Sequence, residues 1–204
     1  MREFWDKRYS DSTYAYGVEP NVFFKEALAT IEVKGTVLLA AEGEGRNAVY
    51  AAKQGWKVKA FDQSEEAKNN ALSLATQQNV KLDYIVSDIE SLSYERESMD
   101  VLVLIYAHFP KEVRRACHQK LSQYLNVGGW LIMEAFEKKH LEKQRVNTKV
   151  GGPNQIDMLY SLEELREDFL GFDFLLLEET DTLLNEGIYH QGEVRVVRLI
   201  AKKK

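Results

Sequence analysis

The 204-residue chain has one cysteine, Cys117, which excludes an internal disulfide framework and a cysteine-rich zinc site. Three prolines and 12 glycines leave no low-complexity tract and no linker. Basic charge is also short. Twenty-seven Lys and Arg face 32 Asp and Glu, a formal net charge of -5, so a general electrostatic grip on nucleic acid is not expected. The Lys202-Lys203-Lys204 tip reads as a solvated tail. No stretch reaches the ~20 apolar residues of a membrane span, and Arg2 and Glu3 put charge where a signal peptide needs apolar residues. These absences predict a cytoplasmic protein with no membrane partner. Nothing in the sequence specifies an oligomeric state. What is present is 45% hydrophobic and 29% charged residues, enough for the core of one domain spanning residues 1–204.

Apolar runs and helical spacing alternate along the chain. Strands are predicted at 37–41, 58–61, 84–86 and 101–106, the last the most continuously apolar and so expected to be covered on both faces. Helices are predicted over 47–53 and over 65–79, the second opened by Ser64 with Glu65 and Glu66. Pro110 suits a first helical turn, with Val113, Cys117, Leu121 and Tyr124 on one face and Gly128-Gly129 as the stop. A strand at 130–136 follows. Ser161 and Glu164 form a capping box for a helix through Phe169, and 172–177 and 194–201 are strands with no helix between them, which favours antiparallel pairing. The class is α/β, a Rossmann-like doubly wound, mostly parallel sheet, with ligands expected at the loops after residues 41, 61, 86 and 106. Residues 137–160, polar and containing Gly151-Gly152-Pro153-Asn154, form the longest non-periodic stretch. They are a candidate substrate cover ending at Tyr160, or a surface loop.

The first loop, Ala41-Glu42-Gly43-Glu44-Gly45-Arg46-Asn47, satisfies the dinucleotide spacing Gly-x-Gly-x-x-Ala, with Asp62 about 20 residues on. A dinucleotide would place its pyrophosphate here, where Glu42 and Glu44 repel it by several kcal/mol at roughly 4 to 6 Å. A ligand with an ammonium and no phosphate is favoured instead, and S-adenosylmethionine has that form. Gly43 and Gly45 would let its methionyl end approach, Asp62 would hold its ribose, and Asp88 and Ile89 its adenine, with Ala41, Glu42, Asn47 and Gln63 as further cofactor contacts. Tyr106 and Ala107 would close the fourth strand beside the methyl. A lone Gly-x-Gly is more often just a tight turn; three acids at successive strand ends argue for a cofactor site.

The chain resembles the class I S-adenosylmethionine-dependent methyltransferases, and within them the tellurite-resistance and thiopurine methyltransferase type. The resemblance rests on Trp5-Asp6-Lys7-Arg8-Tyr9, Tyr16-Gly17-Val18-Glu19-Pro20-Asn21, Gly43-Glu44-Gly45-Arg46-Asn47, Phe61-Asp62, Ser87-Asp88-Ile89 and Gly128-Gly129-Trp130. It implies seven strands with the last inserted antiparallel, S-adenosylmethionine as cofactor, and residues 1–30 folded over that cofactor. In the family's acid-x-Gly-x-Gly-x-Gly pattern, Leu39 fills the acid position and Ala41 the first glycine. Glu42 is therefore expected to anchor the ammonium, with Glu44 as second choice. Among Phe4, Trp5, Tyr9, Tyr14, Tyr16, Phe23 and Phe24, the rings of Trp5, Tyr9 or Tyr16 could cover a sulfonium, or could simply cover the sheet. Gly17 would allow a turn within this segment.

His108, at the fourth strand tip, could accept a proton from an incoming nucleophile, or could only pack there. His118, beside Arg114 and Arg115, reads as a surface residue, although these three could attract an anionic substrate. His190 could face the site from the last hairpin. The histidines are too scattered to predict a metal, and Cys117 reads as an inert thiol. The expected reaction is in-line methyl transfer to a small-molecule acceptor, a thiol, a chalcogen oxyanion or a hydroxyl, with orientation worth up to ~7 to 11 kcal/mol. Ala107-His108-Phe109-Pro110 departs from the Asn/Asp-Pro-Pro-aromatic tetrad of base-amine methyltransferases. A nicotinamide-dependent oxidoreductase and a non-catalytic S-adenosylmethionine sensor are the alternatives.

Overall fold

In the computed structural model, which describes residues 2–11 and 13–204, seven strands share one sheet in the order β3-β2-β1-β4-β5-β7-β6. They are β1 (Thr36–Ala40), β2 (Lys57–Asp62), β3 (Asp83–Val86), β4 (Met99–Ile105), β5 (Leu125–Phe136), β6 (Phe172–Glu186) and β7 (His190–Lys203). Strands β1 to β5 pair in parallel, while β7 runs antiparallel to both β5 and β6. The helices are α1 (Arg2–Tyr9), α2 (Val22–Ala29), α3 (Arg46–Lys53), α4 (Glu65–Gln77), α5 (Lys111–Ser122), α6 (His140–Val146) and α7 (Leu162–Asp168). Strand order reverses between β1 and β4, which places a crevice beyond their carboxyl ends.

Alternation along the central strands builds the core. Leu102 and Leu104 of β4 join Leu38, Leu131, Leu121 and Phe169 on one face. Val101 and Val103 join Val37, Leu39, Phe24, Leu28 and Ala51 on the other. A strand buried on both faces has no position left for a polar residue, which is why β4 is nearly all apolar. The helix starts follow the local signals. The Ser64 hydroxyl accepts from the Ala67 N–H, and Ser161 and Glu164 make a reciprocal capping box.

Several expectations need correction. The buried residues of α5 are Arg114, His118 and Leu121, whereas Val113 is 44% exposed. The helix is turned by one position because α7 supplies Glu164 and Asp168 as partners for Arg114 and His118. His118 is thus fully buried, stacked between Tyr160 and Phe169, rather than a surface residue. Gly128 and Gly129 do not end that helix. They lie inside β5, where its register with β4 shifts between Met99 and Val101. The final hairpin runs on to Glu186 and back from His190, beyond the predicted ends, because polar residues alternate along its outer half. Residues 137–160 are not an irregular loop: they hold α6 and two 3-10 turns, and Val150 and Leu159 pack with Leu184, Val194 and Val196. None of the described helices is long and apolar enough to cross a membrane.

Leu104, fully buried at the centre of the sheet, measures this core directly. Leu104→Ala is expected to lower unfolding free energy by about 2–5 kcal/mol in urea titrations, without changing the secondary structure seen by circular dichroism.

Candidate active site

The turn from β1 to α3 is built from left-handed residues, with Ala41 at φ 51°, Gly43 at 63° and Gly45 at 86°. At Gly45 a Cβ would stand 2.6 Å from the Ala71 Cβ and 2.9 Å from its Cα, so the close packing of α3 on α4 requires glycine. A Cβ at Gly43 would meet the Tyr9 hydroxyl at 2.8 Å. The Tyr84 hydroxyl donates to the Gly43 carbonyl at 2.6 Å.

Glu42 turns back over the start of α3 and accepts the Ala48 N–H at 2.8 Å. Burial pushes its carboxyl up to about 7, and the Ala48 bond and nearby Arg46 only partly oppose that. Glu44 is committed elsewhere, accepting from the Ala15 N–H at 2.7 Å and the Asn70 amide at 3.0 Å. Asn47 likewise accepts the Asn21 N–H at 2.9 Å, so its side-chain oxygen holds the N-terminal segment. At the tip of β2, Asp62 accepts from the Gly43 N–H at 3.1 Å and the Ser64 N–H at 3.0 Å, and burial raises its pKa. Gln63 follows it, half-buried. Asp88 is exposed beyond β3 and accepts from the Ser91 N–H at 2.7 Å, a contact that lowers its pKa. Ile89 packs at the edge of the core.

Helix α1 lies against the start of α4, where Asp6 accepts from the Ser64 hydroxyl at 2.5 Å and the Glu65 N–H at 3.1 Å. This brings Trp5 and Tyr9 to the glycine turn, their rings stacked 5.5 Å apart at 18°. Gly17, at φ 72°, makes the turn that follows, and its N–H donates to the Tyr14 carbonyl at 3.2 Å.

A second cluster lies beyond β4, β5 and β7, and most of it escaped the sequence reading. Tyr106 ends β4 at φ 54°, and its hydroxyl donates to Glu134 at 2.9 Å. Glu134 is also held by Arg198 at 2.6 Å and by the Asn21 amide at 2.7 Å. Glu186 pairs with Arg46 at 2.8 Å and with His190 Nδ1 at 3.1 Å, and these contacts hold its carboxyl down at about 2 against the cost of burial. The His190 ring sits 4.5 Å from Tyr16 and 4.8 Å from Tyr106. Glu134 left one signal, a lone acid inside the apolar run 130–136. Glu186 left none, because its strand was not predicted.

Three sequence candidates are engaged elsewhere. His108 Nδ1 pairs with the Met158 carbonyl at 2.7 Å, and its Nε2 accepts from the Phe136 N–H at 3.4 Å. Burial pushes it down to about 3, so the imidazole is neutral and its lone pair is taken; a role as base is not supported. Tyr160 is fully buried and donates to the Ala107 carbonyl at 2.8 Å. The Arg114 guanidinium lies over the Tyr160 ring and donates to Glu164 at 3.1 Å and to the Asp157 carbonyl at 2.6 Å. Both brace α5 and the segment before α7. No group of three or more His, Cys, Asp or Glu suited to a metal occurs among the described residues.

Residues 37–129 match the family model described as "Methyltransferase domain". That segment, from β1 into β5, is similar to a methyltransferase domain. No curated protein sequence matches it. Among solved structures, one from work on the conversion of a disulfide bond into a thioacetal group during echinomycin biosynthesis is 19% identical with TM-score 0.83, covering 100% of this chain and 92% of that one. TehB from Haemophilus influenzae is 18% identical with TM-score 0.70, over 100% and 67%. The Burkholderia thailandensis 1,6-didemethyltoxoflavin-N1-methyltransferase, solved with 1,6-didemethyltoxoflavin and S-adenosylhomocysteine, is 17% identical with TM-score 0.64, over 89% and 76%. At these identities the likeness is one of fold, the Rossmann-like methyltransferase fold with its inserted antiparallel strand.

The Gly45 contact sets a test of the turn after β1. Gly45→Ala is expected to destabilise the protein by about 1–3 kcal/mol, since α3 and α4 must separate. Gly128→Ala, equally left-handed but open, is expected to cost roughly 1 kcal/mol in the same thermal unfolding measurement.

Proposed function

We propose that the protein transfers a methyl group from S-adenosylmethionine to a small-molecule acceptor, a thiol, a chalcogen oxyanion or a hydroxyl, in an in-line displacement. The observation that carries this reading is the Glu42 carboxylate on the Ala48 N–H. The first turn of α3, where a pyrophosphate would bind, already faces an acid of the chain itself, and an ammonium is the complementary ligand. This disfavours a nicotinamide dinucleotide at the same turn. Gly43 and Gly45 leave the turn without side chains, Asp62 and Gln63 stand at the position for a ribose diol, and Asp88 and Ile89 stand beyond β3 for an adenine. Trp5, Tyr9 and Tyr16 supply ring faces for a cation. Ala41, Tyr106 and Ala107 line the strand ends between them. Asn47 contributes by holding the N-terminal segment in place. The comparisons support the same reading, since related folds bind S-adenosylhomocysteine and one acts on 1,6-didemethyltoxoflavin.

The cofactor, when bound, supplies an already activated methyl, so the protein needs no nucleophile of its own. Its residues have to orient the acceptor and receive a proton when the acceptor is a thiol or hydroxyl. His190 is placed for the second task. With Nδ1–H donated to Glu186, the neutral ring carries its lone pair on Nε2, and burial pushes the imidazole pKa down while Glu186 opposes that. Tyr106 and Tyr16 fix the plane of that ring from two sides. The net charge of -5 favours a small acceptor over a nucleic acid.

Two measurements test this. Ammonium binding needs Glu42 ionised, so calorimetric affinity for S-adenosylmethionine is expected to fall as pH drops from about 8 to about 6, through the raised pKa, by up to ~10-fold per unit. Glu42→Gln should bind more weakly at the upper pH and show no such slope. His190→Gln is expected to lower kcat for a thiol acceptor about 10²- to 10⁴-fold near neutrality while S-adenosylhomocysteine affinity holds. The deficit should shrink above the thiol's own pKa of ~8.5, where thiolate forms in solution. A deficit that stays constant across that range would remove the role from His190.

A further inference from the structure

The two charge pairs of the second cluster cancel internally, Arg46 against Glu186 and Arg198 against Glu134. One cation beside it does not cancel. Arg8, half-buried on α1, makes no salt bridge with any described residue, although it stands next to the proposed acceptor site. Its guanidinium lies 3.8 Å from the centroid of the Tyr189 ring and 5.0 Å from that of Phe4, and it donates to the Tyr16 hydroxyl at 3.2 Å. Tyr16 in turn touches His190. The nearby acids are already committed: Asp6 to Ser64, Glu65 and Arg2, and Glu44 to Ala15 and Asn70. The guanidinium is therefore held by two rings and one hydroxyl, with no salt-bridging carboxylate among the described residues.

Resting on the methyltransferase reading above, we infer that Arg8 selects an acceptor carrying a negative charge, held at the mouth formed by Arg8, Tyr16 and Tyr189 with its reacting atom toward His190. A planar five-donor cation suits a carboxylate or another oxyanion and gives a neutral acceptor nothing equivalent. The first helix thus contributes to acceptor choice as well as to covering the glycine turn. A side chain that served only to latch α1 to the hairpin would affect every acceptor alike.

The experiment uses the full chain saturated with S-adenosylhomocysteine and titrated calorimetrically with 3-mercaptopropionate, selenite and the neutral 3-mercaptopropanol. The anions are expected to bind about tenfold tighter or more than the neutral thiol, as a charge-assisted contact requires. Arg8→Gln should abolish that preference and Arg8→Lys should retain part of it. Equal binding of charged and neutral ligands, absence of anion binding, or an undiminished preference in Arg8→Gln would each overturn the inference. Failure of S-adenosylhomocysteine to bind the unaltered protein would instead overturn the methyltransferase reading, so the two failures are told apart by the first titration.

Discussion

The hydrogen bond from the Ala48 N–H to the Glu42 carboxylate decides what the turn after β1 can hold. A helix start normally offers unpaired N–H groups and a positive potential, and many folds of this kind use it for phosphate. Here the chain meets that potential with its own acid, held where burial leaves the carboxyl short of solvation. A cationic group approaching an ionised Glu42 restores what burial removed, while an anionic one meets repulsion. The neighbouring elements respect this arrangement. Gly43 and Gly45 keep side chains out of the turn, and Asp62 ties the tip of β2 to it through the Gly43 N–H.

The architecture was legible because its signals are local or nearly so. Continuous apolar runs marked the strands buried on both faces, and Ser64 and Ser161 marked the starts of α4 and α7. The glycine turn was legible for the same reason. It follows a strand end, where short-range patterning is strong. The outer part of the final hairpin was not legible, since its stability comes from pairing across strands, and a residue such as Thr182 or Glu186 carries no strand signal alone.

Buried polar groups were the hardest to read. Arg114 and His118 look like surface residues in sequence, and their burial depends on Glu164 and Asp168, about 50 positions away. His108 shows the converse. Its position at the tip of β4 suggested chemistry, but the carbonyl of Met158 and the N–H of Phe136 occupy both ring nitrogens. His190, four residues from Glu186 on the facing strand of a tight hairpin, pairs through Nδ1 alone, and its Nε2 has no hydrogen-bond partner among the described residues. Position along the chain suggested where to look, and the partners decided which imidazole was available.

At the hairpin tip, the Ile188 N–H donates to the Ala15 carbonyl at 3.1 Å, and a Cβ on Gly187 would fall 2.3 Å from that same oxygen. Early and late parts of the chain therefore share one wall, joined through bare backbone. During synthesis the glycine turn emerges long before the hairpin that faces it, so the wall is complete only after residue 190 has left the ribosome. The N-terminal segment meets its backbone partner at the hairpin tip only once that hairpin exists.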